Sequence, residues 1–297
     1  MWAQQERFVA DMHEFVHDVL AFGYDAIEVS HSTALAPFER LLSYHGVPIS
    51  SIHAPAPLVP HDETRHNSAL NLAALDDDER RAAIRYTKAS IDYARQAGAT
   101  HVVVHLGGVG NAMFGEEREL RRLYDAGTRE GARVEELRAA CIRLRNEQYG
   151  PWLEQARETL RELAEHAESR EIGLGLENRL HYHEIPQVEE AAELVAGYDP
   201  RLVGYWHDVG HAEVQWRLGL VDKRAWLDRN GRRCIGTHLH DVTGLADHRA
   251  PGNGDVEWDY IRDGVPAGAL RVLEINQSQP PESVASAIPF LRQRGIL

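Results

Sequence analysis

Short runs of β-branched and apolar residues alternate along the chain with longer stretches whose apolar positions repeat every three to four residues. The short runs are Asp25–Val29, Ile49–His53, His101–His105, Ile172–Glu177, Leu202–His207, Cys234–His238 and Leu270–Ile275, and each reads as a strand. Phe8 to Leu20 carries apolar residues at 8, 9, 12, 15, 16, 19 and 20, one face of a helix of period 3.6, and Asp78–Ala97 and Tyr149–Ala167 read the same way. Strands that alternate with helices predict βαβ units and a parallel sheet. No Pro/Gly/Ser linker or low-complexity tract interrupts the rhythm, so residues 1–297 read as one α/β domain, a barrel of the (β/α)8 type.

Two irregularities qualify the barrel. Only seven strands are found, and the chain opens directly in a helix, so the barrel either lacks its first strand or closes with seven. A long helical insertion, about residues 109–148 and rich in Arg and Glu from Glu116 to Arg145, follows the His105 strand. An insertion at one βα position usually forms a lid or an oligomer contact.

Composition narrows the class. The net charge is 32 − 46 = −14, which argues against a nucleic-acid partner. Two cysteines, Cys141 and Cys234, exclude a disulfide framework and a Cys-based zinc site. No apolar run approaches the roughly 18 residues of a membrane span, and the start lacks a basic and apolar leader pattern, so a cytoplasmic location and no membrane partner are expected. Seventeen histidines are many, and their positions carry the information.

In a parallel barrel, chemistry sits at the C-terminal ends of the strands. Those ends are Glu28, His53, His105, Glu177, Asp208, His238 and Glu274. From Glu177 to Asp208 is 31 residues, then 30 to His238 and 36 to Glu274, one βα unit each time. Four consecutive units thus aim Glu, Asp, His and Glu at one point on the axis. Buried unpaired carboxylates are costly, and a cation makes their convergence favourable. The alternative is pairing with arginines at the barrel mouth. Three carboxylates and one imidazole form a hard donor set that suits one divalent ion, Mn²⁺ first, with Mg²⁺, Co²⁺ or Zn²⁺ as alternatives.

The segments Leu176-Glu177-Asn178-Arg179, Trp206-His207-Asp208-Val209-Gly210-His211, Thr237-His238-Leu239-His240-Asp241 and Leu273-Glu274-Ile275-Asn276 resemble the xylose-isomerase-like TIM-barrel superfamily. Gly23-Tyr24-Asp25-Ala26-Ile27-Glu28, Ser51-Ile52-His53-Ala54-Pro55 and Val103-Val104-His105-Leu106-Gly107 extend the resemblance over most of the chain. The superfamily includes ketose 3-epimerases, hydroxypyruvate isomerase, inosose dehydratase and endonuclease IV. The resemblance implies that Glu177 and Glu274 bind the metal and also act as acid and base on opposite sides of a carbon next to a carbonyl. Asp208 and His238 would complete the metal site. A C–H of this kind is too weak an acid for a bare carboxylate unless the developing oxyanion is held.

By the same resemblance His211 would contact a substrate hydroxyl, or hydrogen-bond behind the ligands. His53 and His105 match positions that bind further zinc ions in endonuclease IV and line the pocket in sugar isomerases. His248, in Asp247-His248-Arg249, resembles an Asp-x-His zinc pair only loosely, because the two residues are adjacent here. His240 would lie behind the ligands or touch substrate. Arg179 and Arg249 follow strand ends and could bind a substrate anion or hydroxyls; solvated charge is the alternative. Trp206 and Trp258 could stack on a sugar face or pack beneath loops, His181 and His183 lie on the loop after Glu177, and Cys234 reads as structural.

The expected function is a divalent-metal-dependent isomerase or epimerase of a small sugar, polyol, sugar phosphate or keto-acid, working through a metal-stabilised enediolate. An inosose-dehydratase-like lyase shares the first step. A zinc-dependent endonuclease of the endonuclease IV type has the histidines in its favour; the net charge and the altered Asp-x-His pair stand against it. Relatives often dimerise or tetramerise, and the insertion could serve a homo-oligomer.

Overall fold

A computed structural model describes residues 1–297. Seven strands form one parallel sheet: β1 (Ile27–Val29), β2 (Ile49–His53), β3 (His101–Val104), β4 (Gly173–Glu177), β5 (Val203–Asp208), β6 (Cys234–Leu239) and β9 (Leu270–Leu273), hydrogen-bonded in that order. Between β6 and β9 lies an antiparallel hairpin, β7 (Asp241–Thr243) and β8 (Ala246–Arg249), which the sequence pattern does not announce. Glu28 on the first strand bonds His238 on the sixth, a contact that requires the sheet to curl into a barrel.

The barrel has seven strands and no eighth. No ladder joins β1 to β9, the two ends of the order. Across this seam the N-terminal segment is pinned by side chains. Trp2 Nε1 donates to Gln279 O at 2.9 Å, Gln5 Nε2 to Gln277 O at 2.8 Å and Gln4 Nε2 to Thr33 Oγ1 at 3.3 Å. Tyr24 OH donates to Val284 O at 3.0 Å.

The helices are α1 (Glu6–Ala10), α2 (Met12–Ala21), α3 (Leu35–Ser43), α4 (Asp77–Ala97), α5 (Gly115–Asp125), α6 (Ala132–Glu168), α7 (Val188–Ala196), α8 (Val209–Arg217), α9 (Lys223–Asn230), α10 (Asp259–Gly264) and α11 (Pro281–Gln293). Two differ from the pattern. The amphipathic stretch from Phe8 to Leu20 is broken at Asp11, which leaves helical geometry and caps α2 by accepting from His13 N. The expected helix from Tyr149 is instead the second half of α6, which runs through Pro151 for 37 residues. A mid-helix proline removes one hydrogen bond. Burial on both sides of it offsets that loss. Val134, Leu137 and Cys141 pack into one apolar cluster, and Leu153, Leu160 and Leu163 into another.

Trp206 fills the barrel interior. It is fully buried, and a Cβ on Gly175 would stand 2.6 Å from its ring and one on Gly236 closer still, so both positions need glycine. The indole therefore cannot reach a ligand at the mouth. Trp258 is likewise buried, edge-on to Phe290 at 5.9 Å. No helix is long and apolar enough to cross a membrane.

Candidate metal centre

The strand ends deliver the expected residues to one place. Glu177, Asp208, His238 and Glu274 are all buried, and one ligand atom from each lies within 4.8 Å of the other three. His238 sits at the middle. Its Nδ1 is 2.8 Å from Glu177 Oε1, 3.3 Å from Glu274 Oε2 and 3.7 Å from Asp208 Oδ2. Its Nε2 is 2.9 Å from Glu28 Oε1, and Ser51 Oγ donates to Glu28 Oε2 at 2.6 Å. With Nε2–H donating to Glu28, Nδ1 faces the space between the three carboxylates, and it would present a lone pair there once an incoming ion displaced its proton. A histidine that ligates a metal typically donates its other ring N–H to a carboxylate in this manner. Burial opposes charge on His238, but Glu28, Glu274 and Glu177 overcome it and hold the imidazole well above its ordinary pKa. The same residues thus create a demand for positive charge that one imidazolium meets only in part. The donor set, with its backing carboxylate, fits a hard divalent ion.

Among these residues, Asp208 is held most firmly by its local structure. Asp208 ends β5 and caps α8, accepting from His211 N at 2.7 Å. His240 Nε2 lies 3.0 Å from both Asp208 oxygens, so His240 stands behind Asp208. Asn178 locks β4 to β5: its Oδ1 accepts from Asp208 N at 2.8 Å and Tyr205 OH at 2.7 Å, and its Nδ2 donates to Asp208 O at 2.9 Å. His211 Nδ1 lies 3.0 Å from Asn178 O.

A second group adjoins the first. His53 Nε2, His105 Nε2 and Glu177 Oε2 converge, with His105 Nε2 2.5 Å from each of the other two atoms. Burial, followed by the charge of Arg179 and the neighbouring His53, pushes His105 down to about 3. Arg179 Nη1 bonds both His105 Nε2 and, at 3.1 Å, Glu177 Oε2. A third group is formed by His211, Asp247 and His248. Adjacency does not keep Asp247 and His248 apart from it: His248, on β8 and in left-handed geometry (φ 55°), stacks on His240 at 4.2 Å. His248 Nε2 is 3.6 Å from Glu274 Oε2.

Arg249 pairs with none of these residues. Its guanidinium makes no hydrogen bond or ion pair, and its Nε is buried without a partner. His181 and His183 belong to the loop after β4, where His181 Nδ1 contacts Glu117 Oε1 at 2.9 Å. Glu117, on the inserted helix α5, also accepts from Tyr182 N at 2.9 Å, so the insertion buttresses this loop. Three participants lie outside the sequence-level site. Glu28 is a strand-end acid whose partner lies 210 residues away. Ser51 supports Glu28. His31, two residues past β1, packs edge-on against His53 at 4.6 Å and His105 at 5.5 Å.

This architecture of a parallel barrel with converging carboxylates and histidines places the protein in a known class. The chain belongs to the xylose isomerase-like TIM barrel family, whose model matches residues 16–294. It is 28% identical over 241 residues to the uncharacterized protein y4fM of Sinorhizobium fredii, covering 78% of this chain and 67% of that protein. Among solved structures it is similar to a D-tagatose 3-epimerase-like protein, with TM-score 0.65 and 18% identity, covering 96% of this chain and 94% of that one. It is also similar to the TTHB071 protein of Thermus thermophilus soaked with zinc chloride, with TM-score 0.59 and 20% identity over 96% and 94% of the two chains. At these identities the solved structures establish the shared fold.

Proposed function

We propose that the protein is a divalent-metal-dependent isomerase or epimerase that moves a proton at a carbon next to the carbonyl of a small sugar or polyol. One observation carries this reading: a single buried imidazole, His238, is ringed by four carboxylates, three of them turned towards its Nδ1 and the fourth holding its Nε2. Glu177, Asp208, His238 and Glu274 would hold one ion, manganese first by donor type and zinc, cobalt or magnesium next. When bound, the ion would supply Lewis acidity towards a substrate carbonyl.

The chain's own groups do the remaining work. Glu274 is the least committed carboxylate: the nearest basic partner of its Oε1 is His53 Nδ1, at 4.0 Å. It can therefore accept the substrate proton. Glu177 shares its Oε2 with His105 and Arg179, and exchanges a proton from the other side. His211 and His53 face this space as partners for substrate hydroxyls, with His105 beside them. A carboxylate placed for proton transfer contributes typically 10²–10⁴-fold.

The test is solvent exchange. Metal-loaded protein is incubated in D₂O with a panel of ketoses and inososes, and deuterium beside the carbonyl is followed by NMR. Incorporation with a rearranged product supports the reading; incorporation with loss of water assigns a lyase instead. No incorporation across the panel overturns it.

The endonuclease reading keeps one observation in its favour, the presence of further ligand groups, among them His53–His105–Glu177 and His211–Asp247–His248. Cleavage of an abasic duplex by zinc-loaded protein would establish it, and absence of nicking at micromolar enzyme would remove it.

A further inference from the structure

We propose that the Arg179 guanidinium is a resident cation that, by pairing with His105 and Glu177, takes the place of a second divalent ion at the His53–His105–Glu177 group, so that this group and the adjoining Glu177–Asp208–His238–Glu274 group together hold one ion where their side chains offer donors for two. The inference rests on the metal reading above and concerns how many ions the site admits.

The donor atoms come first. His53 Nε2, His105 Nε2 and Glu177 Oε2 point at a common region, with the two imidazole nitrogens 2.5 Å apart and His53 Nε2 3.4 Å from Glu177 Oε2. Acceptors buried this close together need positive charge or a shared proton between them. Arg179 supplies the charge: its Nη1 reaches both His105 Nε2 and Glu177 Oε2. A guanidinium stays protonated at every working pH, so this occupant is permanent.

The arginine is built into place. From behind, Glu184 Oε1 accepts from Nε and pairs with Nη2, both at 3.2 Å. Burial opposes the Glu184 charge, yet Arg179 and the neighbouring histidines hold its carboxyl down to about 2. Glu184 Oε2 accepts from His181 N at 2.7 Å, which fixes the loop that carries both residues. The Arg179 carbonyl is held by Gln215 Nε2 on α8 at 2.8 Å. The side chain is thereby aimed inward, with Nη1 at the donor group.

Glu177 links the two positions. Its Oε1 faces His238 and its Oε2 faces Arg179. A second divalent ion would have to displace the guanidinium and break its pairing with Glu184. A divalent ion and one fixed guanidinium sharing Glu177 repel each other less than two divalent ions would.

The experiment is metal stoichiometry by equilibrium dialysis against Zn²⁺ and elemental analysis, on wild type, Arg179→Met, His105→Gln and Arg179→Met/His105→Gln, with circular dichroism confirming the fold. The expected values are one, two, one and one ion per chain. Two ions in wild type that fall to one in His105→Gln overturn the inference and leave the metal site standing; so does one ion in folded Arg179→Met. No bound ion in wild type overturns the metal reading and this inference together. If Arg179→Met does not fold, anomalous diffraction from zinc-soaked wild-type crystals decides. A single peak among Glu177, Asp208, His238 and Glu274 supports the proposal, and a peak between His53 and His105 overturns it.

Discussion

Two buried ionic clusters lie on either side of the loop that follows β4, and they are balanced differently. In one, Arg145 of α6 grips Glu190 of α7 through two bonds of 2.5 and 2.7 Å, and both residues are buried. One positive group meets one negative group, and Glu190 also closes the cap of α7 by accepting from Gln187 N at 2.9 Å. In the other, Glu28, Glu177, Asp208 and Glu274 surround His238, and Arg179 approaches from one side only. Glu184 stands between the clusters: its carboxylate holds Arg179 and its carbonyl accepts from Arg145 Nη2 at 3.1 Å. The first cluster is complete within the chain and holds elements together. The second gathers four carboxylates round one imidazole, with His248 beside Glu274, and this imbalance is what the proposed metal site rests on.

The largest effect that would test this contrast is on proton transfer. Glu274→Gln and Glu177→Gln should each slow deuterium incorporation by roughly 10²–10⁴-fold, with the fold kept, because each removes a group proposed to carry the proton. The corresponding change in the closed cluster acts on stability instead. Arg145→Met leaves Glu190 buried and unpaired, and should cost about 3–5 kcal/mol in denaturant unfolding while metal content stays unchanged. Replacing Arg145 and Glu190 together by apolar residues should recover much of that loss. Loss of bound metal in Arg145→Met would show that the clusters are one network and that the contrast fails.

Removing the ion is a smaller step. A ligand that binds only the folded chain stabilises it by about 2.7 kcal/mol at a hundred times its dissociation constant. Chelation should lower the melting temperature of wild type accordingly, and should have no effect on an Asp208→Asn variant that no longer binds. An unchanged melting temperature in wild type would mean that the carboxylates around His238 are balanced without a metal.

Much of this was legible in the sequence, for identifiable reasons. All seven barrel strands stand where apolar runs predict them, because parallel strands buried on both faces leave a continuous hydrophobic trace. Glu177, Asp208, His238 and Glu274 were legible because an acid or imidazole at a strand end, repeated once per βα unit, has no role in an apolar core. What stayed hidden depends on contacts that no local pattern encodes. The length of α6 through Pro151 is set by packing at its two ends, which overrides a strong local break signal. The inward aim of Arg179 depends on Glu184 and on Gln215 of α8, and from sequence it reads equally well as a solvated charge. The β7–β8 hairpin does carry a turn signal, the left-handed Gly244 (φ 61°), but its strands of three and four residues are too short to leave a readable alternation.

Glu28 gives the finest test, because it belongs to the open cluster without being one of its ligands. It lies in the three-residue strand at the seam of the barrel, where pairing on one side is absent. Its carboxylate accepts from His238 Nε2–H and from Ser51 Oγ, so it sets which nitrogen of His238 carries the proton and where the ring points. Glu28→Gln keeps the shape and the acceptor oxygen but removes the charge that makes Nδ1 a better donor. Outer partners of metal-bound histidines are typically worth 10–100-fold in affinity, so the dissociation constant should rise by about 10-fold in this conservative variant. Ser51→Ala, one bond further out, should have a smaller effect in the same direction. Calorimetric titration with Mn²⁺ measures both. An unchanged affinity in Glu28→Gln would mean that the three facing carboxylates alone orient His238, and that the fourth carboxylate belongs with the closed, structural kind of pairing.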